Sequence, residues 1–500
     1  MTASTKDYDN LETELEQITH LQNLFKIAHW DSSTMLASGS APSRQKEIAT
    51  LLSVIHEKST SDKISDLING SLGEFEHLND WQRSNLANAK KTYDMQVCVT
   101  SELQHEYNIA SAESEFVWRE ARLQNDFKKL EPYLDRVFDS VRNIASIQAK
   151  KLRRTPLDVL IDSYDPDRTS ADVRSVFDVL KAELPPLIER VMAKQESEKV
   201  IPLSETISEE TQKAIGLRVM GAMGFDMNLG RLDKSVHPFC IGSNDDLRIT
   251  TRYDEKNFLS SLFGVIHETG HALYLQNLPA EYRSQPVGDY KGMAFHESQS
   301  LIMENQVGTS RAFMEFLAKM LKDEFSFSGP EYSAENLYKL VTRVKPSFIR
   351  VEADEATYPL HVIMRFEIEE AIINGNLKAM DLPDIWNSKM EEYLGIVPSS
   401  DREGCLQDVH WPSGMVGYFP SYTNGALIAS MLMKSAKEKY PEIDSELSTG
   451  NFTSLNRYLT DNLRKYGCSK NSADLLEAST GHRSIAPGIF IDYLKGKYLQ

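Results

Sequence analysis

The chain has 500 residues, 41% hydrophobic and 26% charged, which is the composition of a globular protein and not of a disordered chain. Its 55 Lys+Arg stand against 73 Asp+Glu, a net charge of -18 that repels phosphate backbones and excludes nucleic acid as a main partner. The opening MTASTKDYDN has no basic start followed by an apolar run. The longest apolar-looking stretch, about Gly425 to Met433, falls far short of the ~20 residues that span a bilayer, so neither a secretory leader nor a membrane span is expected. Cys98, Cys240, Cys405 and Cys468 are scattered without metal-ligand or redox spacing, which fits a reducing cytoplasmic compartment.

Helical periodicity dominates. Apolar residues recur at three- and four-residue steps from Tyr8 to about Phe25, and again over about Arg44–His56, Asp80–Tyr107 and Ser111–Lys150. Arg154–Thr169, rich in Pro and Asp, reads as a connector. Thr169 or Ser170 then caps a helix that runs to about Leu184, where Pro185 and Pro186 interrupt it. A polar connector over about Gln195–Glu210 follows. The best strand signal is Asp246–Tyr253, where Leu247, Ile249 and Thr251 alternate with Arg248, Thr250 and Arg252. There are no internal repeats. The connectors are expected to separate lobes of one catalytic unit spanning 1–500, approximately 1–200 and 201–500, and not independent domains.

The chemistry begins at His267-Glu268-Thr269-Gly270-His271, an HExxH pattern inside a strong helical stripe (Phe258, Leu259, Leu262, Phe263, Ile266, Leu273, Tyr274) with Asp254 as its expected cap and Leu278-Pro279 marking its end. Residues four apart lie one above the other on a helix, so both imidazoles can reach one Zn2+ at about 2.0–2.1 Å. Glu268 lies beside the metal without ligating it and can accept a proton from the attacking water. A catalytic zinc needs a third protein ligand and an open position. No third His follows closely after Gly270. Glu297, in His296-Glu297-Ser298-Gln299-Ser300, is the best candidate, and Glu304, Glu281 and Asp289 compete with it.

Together the motifs resemble the carboxypeptidase Taq family of metallocarboxypeptidases, along most of the chain. The resemblance includes Trp30-Asp31, Tyr164 to Thr169, His237-Pro238-Phe239 and Asp246-Leu247-Arg248-Ile249-Thr250 (DxRxT). It continues through HETGH and HESQS to Ile349–Asp354 (IRxxAD) and Gly404–Trp411 (GxxQDxHW). HExxH alone is shared by many zinc peptidases; the ordered set is specific. The sequence departs from the pattern at Leu301, Met303, Leu275, Asn277 and Thr423-Asn424, none of them a candidate ligand or base.

The resemblance implies a mainly helical fold with a deep groove between lobes, a small antiparallel sheet beside the HExxH helix, and a homodimer. It raises Glu297 to third ligand, and it implies release of single residues from free peptide C-termini, with broad side-chain tolerance and poor action next to proline. In the expected mechanism Glu268 is general base and then acid, and Tyr418 or Tyr422 stabilises the oxyanion, with Tyr418 favoured. Similarity points to Arg350 as the reader of the substrate carboxylate, against a local helix pair with Asp354, and to His410 as a second donor. The resemblance implies that His237 and the Asp246–Thr250 strand, with Arg248, line or close the groove end, a solvated strand charge being the alternative for Arg248, and His296 and His361 are read as groups that orient ligands. The metal is expected to be Zn2+, with Co2+ or Mn2+ as alternatives. An endo-acting oligopeptidase or dipeptidyl carboxypeptidase with the same chemistry is the competing enzyme. A silent, metal-retaining scaffold is the non-enzyme alternative, disfavoured because Glu268 and all the ligand candidates occur together.

Overall fold

The computed structural model of the chain describes residues 5–203 and 205–500. The leader reading rests partly on residues 1–4, outside the described residues. The connector near Gln195–Glu210 includes Ser204, also outside them. No helix among the described residues is long and apolar enough to cross a membrane.

Long helices build the fold, and their ends follow local capping chemistry. The first runs over Lys6–Thr34 and the second over Ala41–Ser59. The two helical stretches expected over Asp80–Tyr107 and Ser111–Lys150 are three helices: Asp80–Val97, Ser101–Gln124 and Phe127–Leu152. Thr100 starts the second by accepting from Leu103 N. Asn125, with φ 55°, ends it, and Asp126 starts the third by accepting from Lys129 N. Apolar periodicity runs through such breaks, which is why it merged them.

The expected connector at Arg154–Thr169 contains a helix, Pro156–Tyr164. Thr155 caps it, and Pro156 sits at the first helical position, where its missing N–H costs nothing. Thr169 caps the next helix through a reciprocal pair with Asp172. That helix does not stop at Leu184. It continues through Pro185 and Pro186 to Gln195, because Leu184, Leu187, Ile188 and Val191 bury one continuous face that outweighs the lost donors.

The sheet is mixed and not purely antiparallel. Strands β1 (Gly230–Lys234), β2 (Phe239–Ser243) and β3 (Asp246–Thr251) lie in the order β1-β3-β2. β2 and β3 form an antiparallel hairpin, and β1 pairs parallel to β3. The central β3 buries Leu247 and Ile249 completely, and Thr251 Oγ1 donates to the Ser261 carbonyl at 3.1 Å. That bond ties the sheet to the next helix, Phe258–Gln276, which carries HExxH. Asn257, and not Asp254, caps this helix, by accepting from Ser260 N. From Glu268 to Tyr274 it is buried on every side, as expected for a helix at the centre of a large core.

Two apolar clusters form. One joins Tyr8, Leu11, Ile18, Ile55, Ile64, Ile68, Leu78 and Leu86; the other, much larger, runs from Ala110 to Tyr498. All members of the smaller cluster precede Ala110. The helices Ser101–Gln124 and Phe127–Leu152 share a core with the HExxH helix.

Candidate metal centre and substrate cavity

His267 and His271 project from one face of the helix Phe258–Gln276, and Glu297 reaches them from the helix Gly292–Leu301. Two glycines permit this close crossing. A Cβ on Gly270 would stand 2.5 Å from the Gln299 carbonyl oxygen and 2.6 Å from Ser300 Cα. A Cβ on Gly425, in the helix Pro420–Lys439, would stand 2.8 Å from Glu297 Cβ and 2.9 Å from its Cγ. Gly270 thus lets the HExxH helix meet the backbone of the Glu297 helix, and Gly425 lets a third helix meet the Glu297 side chain, more closely than a side-chain-bearing residue would allow.

Glu297 Oε2 lies 3.4 Å from His271 Nε2 and 4.0 Å from His267 Nε2, and the three donor atoms all fall within 4.8 Å of one another. Glu297 is 6% exposed, and its only ion-pair partners among the described residues are these histidines. Burial works to raise its pKa, but His267 and His271 outweigh it and hold the carboxyl below its ordinary range. For His267, burial works downward, yet Glu304, Glu297 and Glu268 outweigh it and push the imidazole up to about 10. Glu304, Glu297 and Glu268 therefore act on one imidazole, and among the described residues Glu297 and Glu304 form ion pairs only with histidines. That field and the two-nitrogen, one-carboxylate donor set fit a divalent cation with an open position.

Glu268, 8% exposed, has its pKa raised by burial, against the pull of both histidines, which suits a group that must take and return a proton. Glu304, a competing ligand on spacing, has a different place. Its Oε2 lies 2.7 Å from His267 Nδ1, which turns Nε2 toward Glu297. Glu304 sits in a π-helical turn, Ile302–Gly308, whose widened repeat shifts it out of the register of the preceding helix. No sequence signal marks that turn. His296 makes no hydrogen bond to a ligand. It packs flat on His271 (ring centroids 4.2 Å apart) and against Tyr290 (4.3 Å), and burial holds it neutral.

A cavity of about 380 Å3 opens beside the site, and His267, Glu297, Arg350, Tyr358 and Tyr422 are among the residues that line it. A larger cavity of about 800 Å3 lies beyond Gln306, Tyr493 and Lys497 and contains none of the candidate ligands. The alternative pairing of Arg350 with Asp354 does not form. Asp354 accepts from the backbone N–H groups of Lys345, Ala356 and Thr357, while Arg350 Nε and Nη2 each lie 3.0 Å from an oxygen of Asp408. His361 is buried and makes no hydrogen bond to a ligand; burial, then the charge of Arg350, lowers it to about 4.

Tyr422 Oη donates to Tyr418 Oη at 3.2 Å, which leaves the Tyr418 proton free. His410 stacks on Tyr418 with ring centroids 5.7 Å apart, and burial lowers its pKa to about 3, so it is a neutral imidazole. Arg248 pairs with Asp246 at 2.9–3.1 Å and lies over the Trp30 ring at 4.2 Å, with Arg231 at 5.0 Å from the same ring. His237 is exposed, and its neighbour Pro238 lines the cavity. The fold thus places His267, Glu297, Arg350 and Tyr422 on one cavity, with His271 and Glu268 on the same helix as His267 but not in the cavity lining, and with Tyr418 against Tyr422 and His410 against Tyr418. Arg248 stands outside this cavity.

The family model for carboxypeptidase Taq (M32) metallopeptidases matches residues 10–498. Carboxypeptidase 1 of Bacillus subtilis (strain 168) is 35% identical over 485 residues, 97% of this chain and 96% of that protein. Thermostable carboxypeptidase 1 of Thermus thermophilus is 33% identical over 503 residues, covering 98% of each. The solved structure of Trypanosoma cruzi metallocarboxypeptidase 1 superimposes with a TM-score of 0.97 at 34% identity, over 99% of this chain and 100% of that one.

Proposed function

Because the chain belongs to the carboxypeptidase Taq (M32) family and is a metal-dependent carboxypeptidase acting on peptides, we propose how its residues divide that work. His267, His271 and Glu297 hold one divalent ion, with Zn2+ the best match to a two-imidazole, one-carboxylate set. When bound, such an ion supplies Lewis-acid polarisation to the scissile carbonyl and to a water molecule. Glu268 takes the proton of the attacking water and delivers it to the leaving amine; its buried, raised-pKa carboxyl suits both halves of that task. The Tyr418 hydroxyl, freed by the donation from Tyr422, steadies the developing oxyanion, and neutral His410 stacks behind it as a second donor.

Arg350 reads the substrate's C-terminal carboxylate in the cavity it shares with His267 and Glu297, and Tyr422 lines the same cavity. Arg248 closes the groove end indirectly, by gripping Trp30 on the first helix, and His237 stands at the mouth beside Pro238. Four free cysteines support a reducing, cytoplasmic setting, and the family resemblance supports a homodimer.

The observation that carries this reading is one cavity lined both by the ligand residues His267 and Glu297 and by the buried Arg350. It favours stepwise release of single residues over endo-acting or dipeptide-releasing cleavage. One peptide in two forms tests it. The free acid should lose single C-terminal residues in order, and the C-terminal amide should resist. Internal cleavage of both forms would overturn it.

A further inference from the structure

Arg350 is 5% exposed, and its guanidinium is fully engaged on one edge. Nε and Nη2 form a two-point pair with Asp408, each at 3.0 Å. Asp408 Oδ2 also accepts from Arg365 Nη1 at 3.0 Å, and Arg365 is itself buried over the rings of Trp411 and Phe419, with Cζ 4.3 and 3.9 Å from their centroids. Gln407 Oε1 accepts from the Arg350 backbone N at 2.8 Å, so two neighbouring residues grip the arginine at both ends. The rings of Tyr358, Phe419 and Tyr422 surround its Cζ at 5.5, 5.1 and 5.4 Å. Nothing in this cage lets the guanidinium rotate.

A guanidinium has five N–H donors. Asp408 takes two, and Arg350 Nη1 donates to the Tyr358 hydroxyl, which leaves the Nη1–Nη2 edge with donors to spare. Both Arg350 and Tyr358 line the cavity, and Nη1 of this edge meets the Tyr358 hydroxyl. Tyr358 accepts from the arginine and keeps its own proton to give. Two guanidiniums share the single carboxylate of Asp408, so the cluster retains donor capacity for a second carboxylate. Burial works to raise the Asp408 pKa, but Arg350 and Arg365 outweigh it and hold the carboxyl well below its ordinary range, so it stays an anion.

We propose that the C-terminal carboxylate is read by a unit and not by Arg350 alone: Asp408, anchored by Arg365, is the positioning residue that presents the Nη1–Nη2 edge, and the Tyr358 hydroxyl is the adjoining substrate donor. The inference rests on the reading that Arg350 binds that carboxylate.

The test is the ratio of kcat/KM for a peptide acid to that for its C-terminal amide, measured with metal content and thermal unfolding for each variant. Tyr358→Phe removes one oxygen and should lower the ratio about five- to tenfold, through KM, with kcat nearly kept. Asp408→Asn should lower it on the order of 30-fold or more, because Arg350 loses its charged anchor. Asp408→Glu should restore part of the loss, which a purely structural role would not show in this ratio. Arg350→Lys separates the two levels of the argument. If Arg350→Lys leaves the ratio intact, the underlying reading of Arg350 fails. If it collapses the ratio while Tyr358→Phe, or a folded and metal-loaded Asp408→Asn, does not, the unit is refuted and Arg350 acts alone. Should Asp408→Asn fail to fold, Tyr358→Phe decides.

Discussion

Gly425→Ala isolates the way helix packing sets the metal site, because the two atoms nearest the added methyl belong to a ligand side chain. The new Cβ would stand 2.8 Å from Glu297 Cβ and 2.9 Å from Cγ, about 0.6 Å inside the 3.4 Å at which ordinary contact begins. The Ala294 carbonyl, at 3.2 Å, blocks escape toward the facing backbone. If the two helices share the displacement, Glu297 still moves by about 0.3 Å, beyond the ~0.2 Å tolerance of metal–ligand distances. Overpacking of this kind costs about 1–3 kcal/mol. Metal affinity should fall about 10- to 100-fold, because the carboxylate is pushed and not removed.

The assay is metal competition against a chelator of known affinity, run beside thermal unfolding in excess chelator so that the metal-free fold is scored separately. Gly221→Ala, in the helix Glu209–Met223 with nothing within 4 Å of the added methyl, is the control; it should leave affinity unchanged and gain a few tenths of a kcal/mol in stability or more. Gly425→Ala with wild-type metal affinity would refute the claim that this contact sets the position of Glu297.

Glu268→Gln should keep its metal while kcat falls by about 10^2-fold or more; measurable loss of metal instead would make Glu268 a ligand. Glu304→Gln should weaken metal binding about 10-fold or more by releasing His267 Nδ1, with kcat per bound metal much less affected, and equal affinity in the two proteins would remove Glu304 from the site. His361 is held neutral, its pKa lowered from 6.5 to about 4. The unfolded chain therefore takes up a proton first as pH falls. The His361 contribution is complete above 6.5 and is lost progressively down to about 4, an effect of about 3 kcal/mol at most. His361→Leu should flatten that part of the thermal-unfolding profile between pH 7 and 4.5, and an unchanged slope would show that this imidazole is already protonated or exposed.

Much of the site could be read along the chain because its chemistry is local. Four-residue spacing on a helix brings His267 and His271 together whatever the rest of the fold does, and Glu268 follows from adjacency. Motif resemblance supplied Glu297 and Arg350, and the mainly helical class followed from apolar periodicity. Helix ends were less accessible, since Thr100, Asn125 and Asp126 act through backbone geometry while the apolar repeat continues past them. Pro185 and Pro186 were expected to end a helix that a buried face carries onward.

The remainder depends on contacts between residues far apart in sequence. Glu304 reaches His267 through a π-helical turn that leaves no pattern of residue types. Arg350 could have paired with Asp354, four residues away; instead Asp354 is used up on backbone N–H groups, and Arg350 turns to Asp408, 58 positions along the chain. Glycines 270 and 425 read as ordinary helix residues until neighbouring backbones approach them. Sequence spacing decides which ligands one helix can offer, because a helix repeats regularly. Packing decides which partner each charged side chain meets, because a buried charge takes the partner that folding places against it and not the one nearest along the chain.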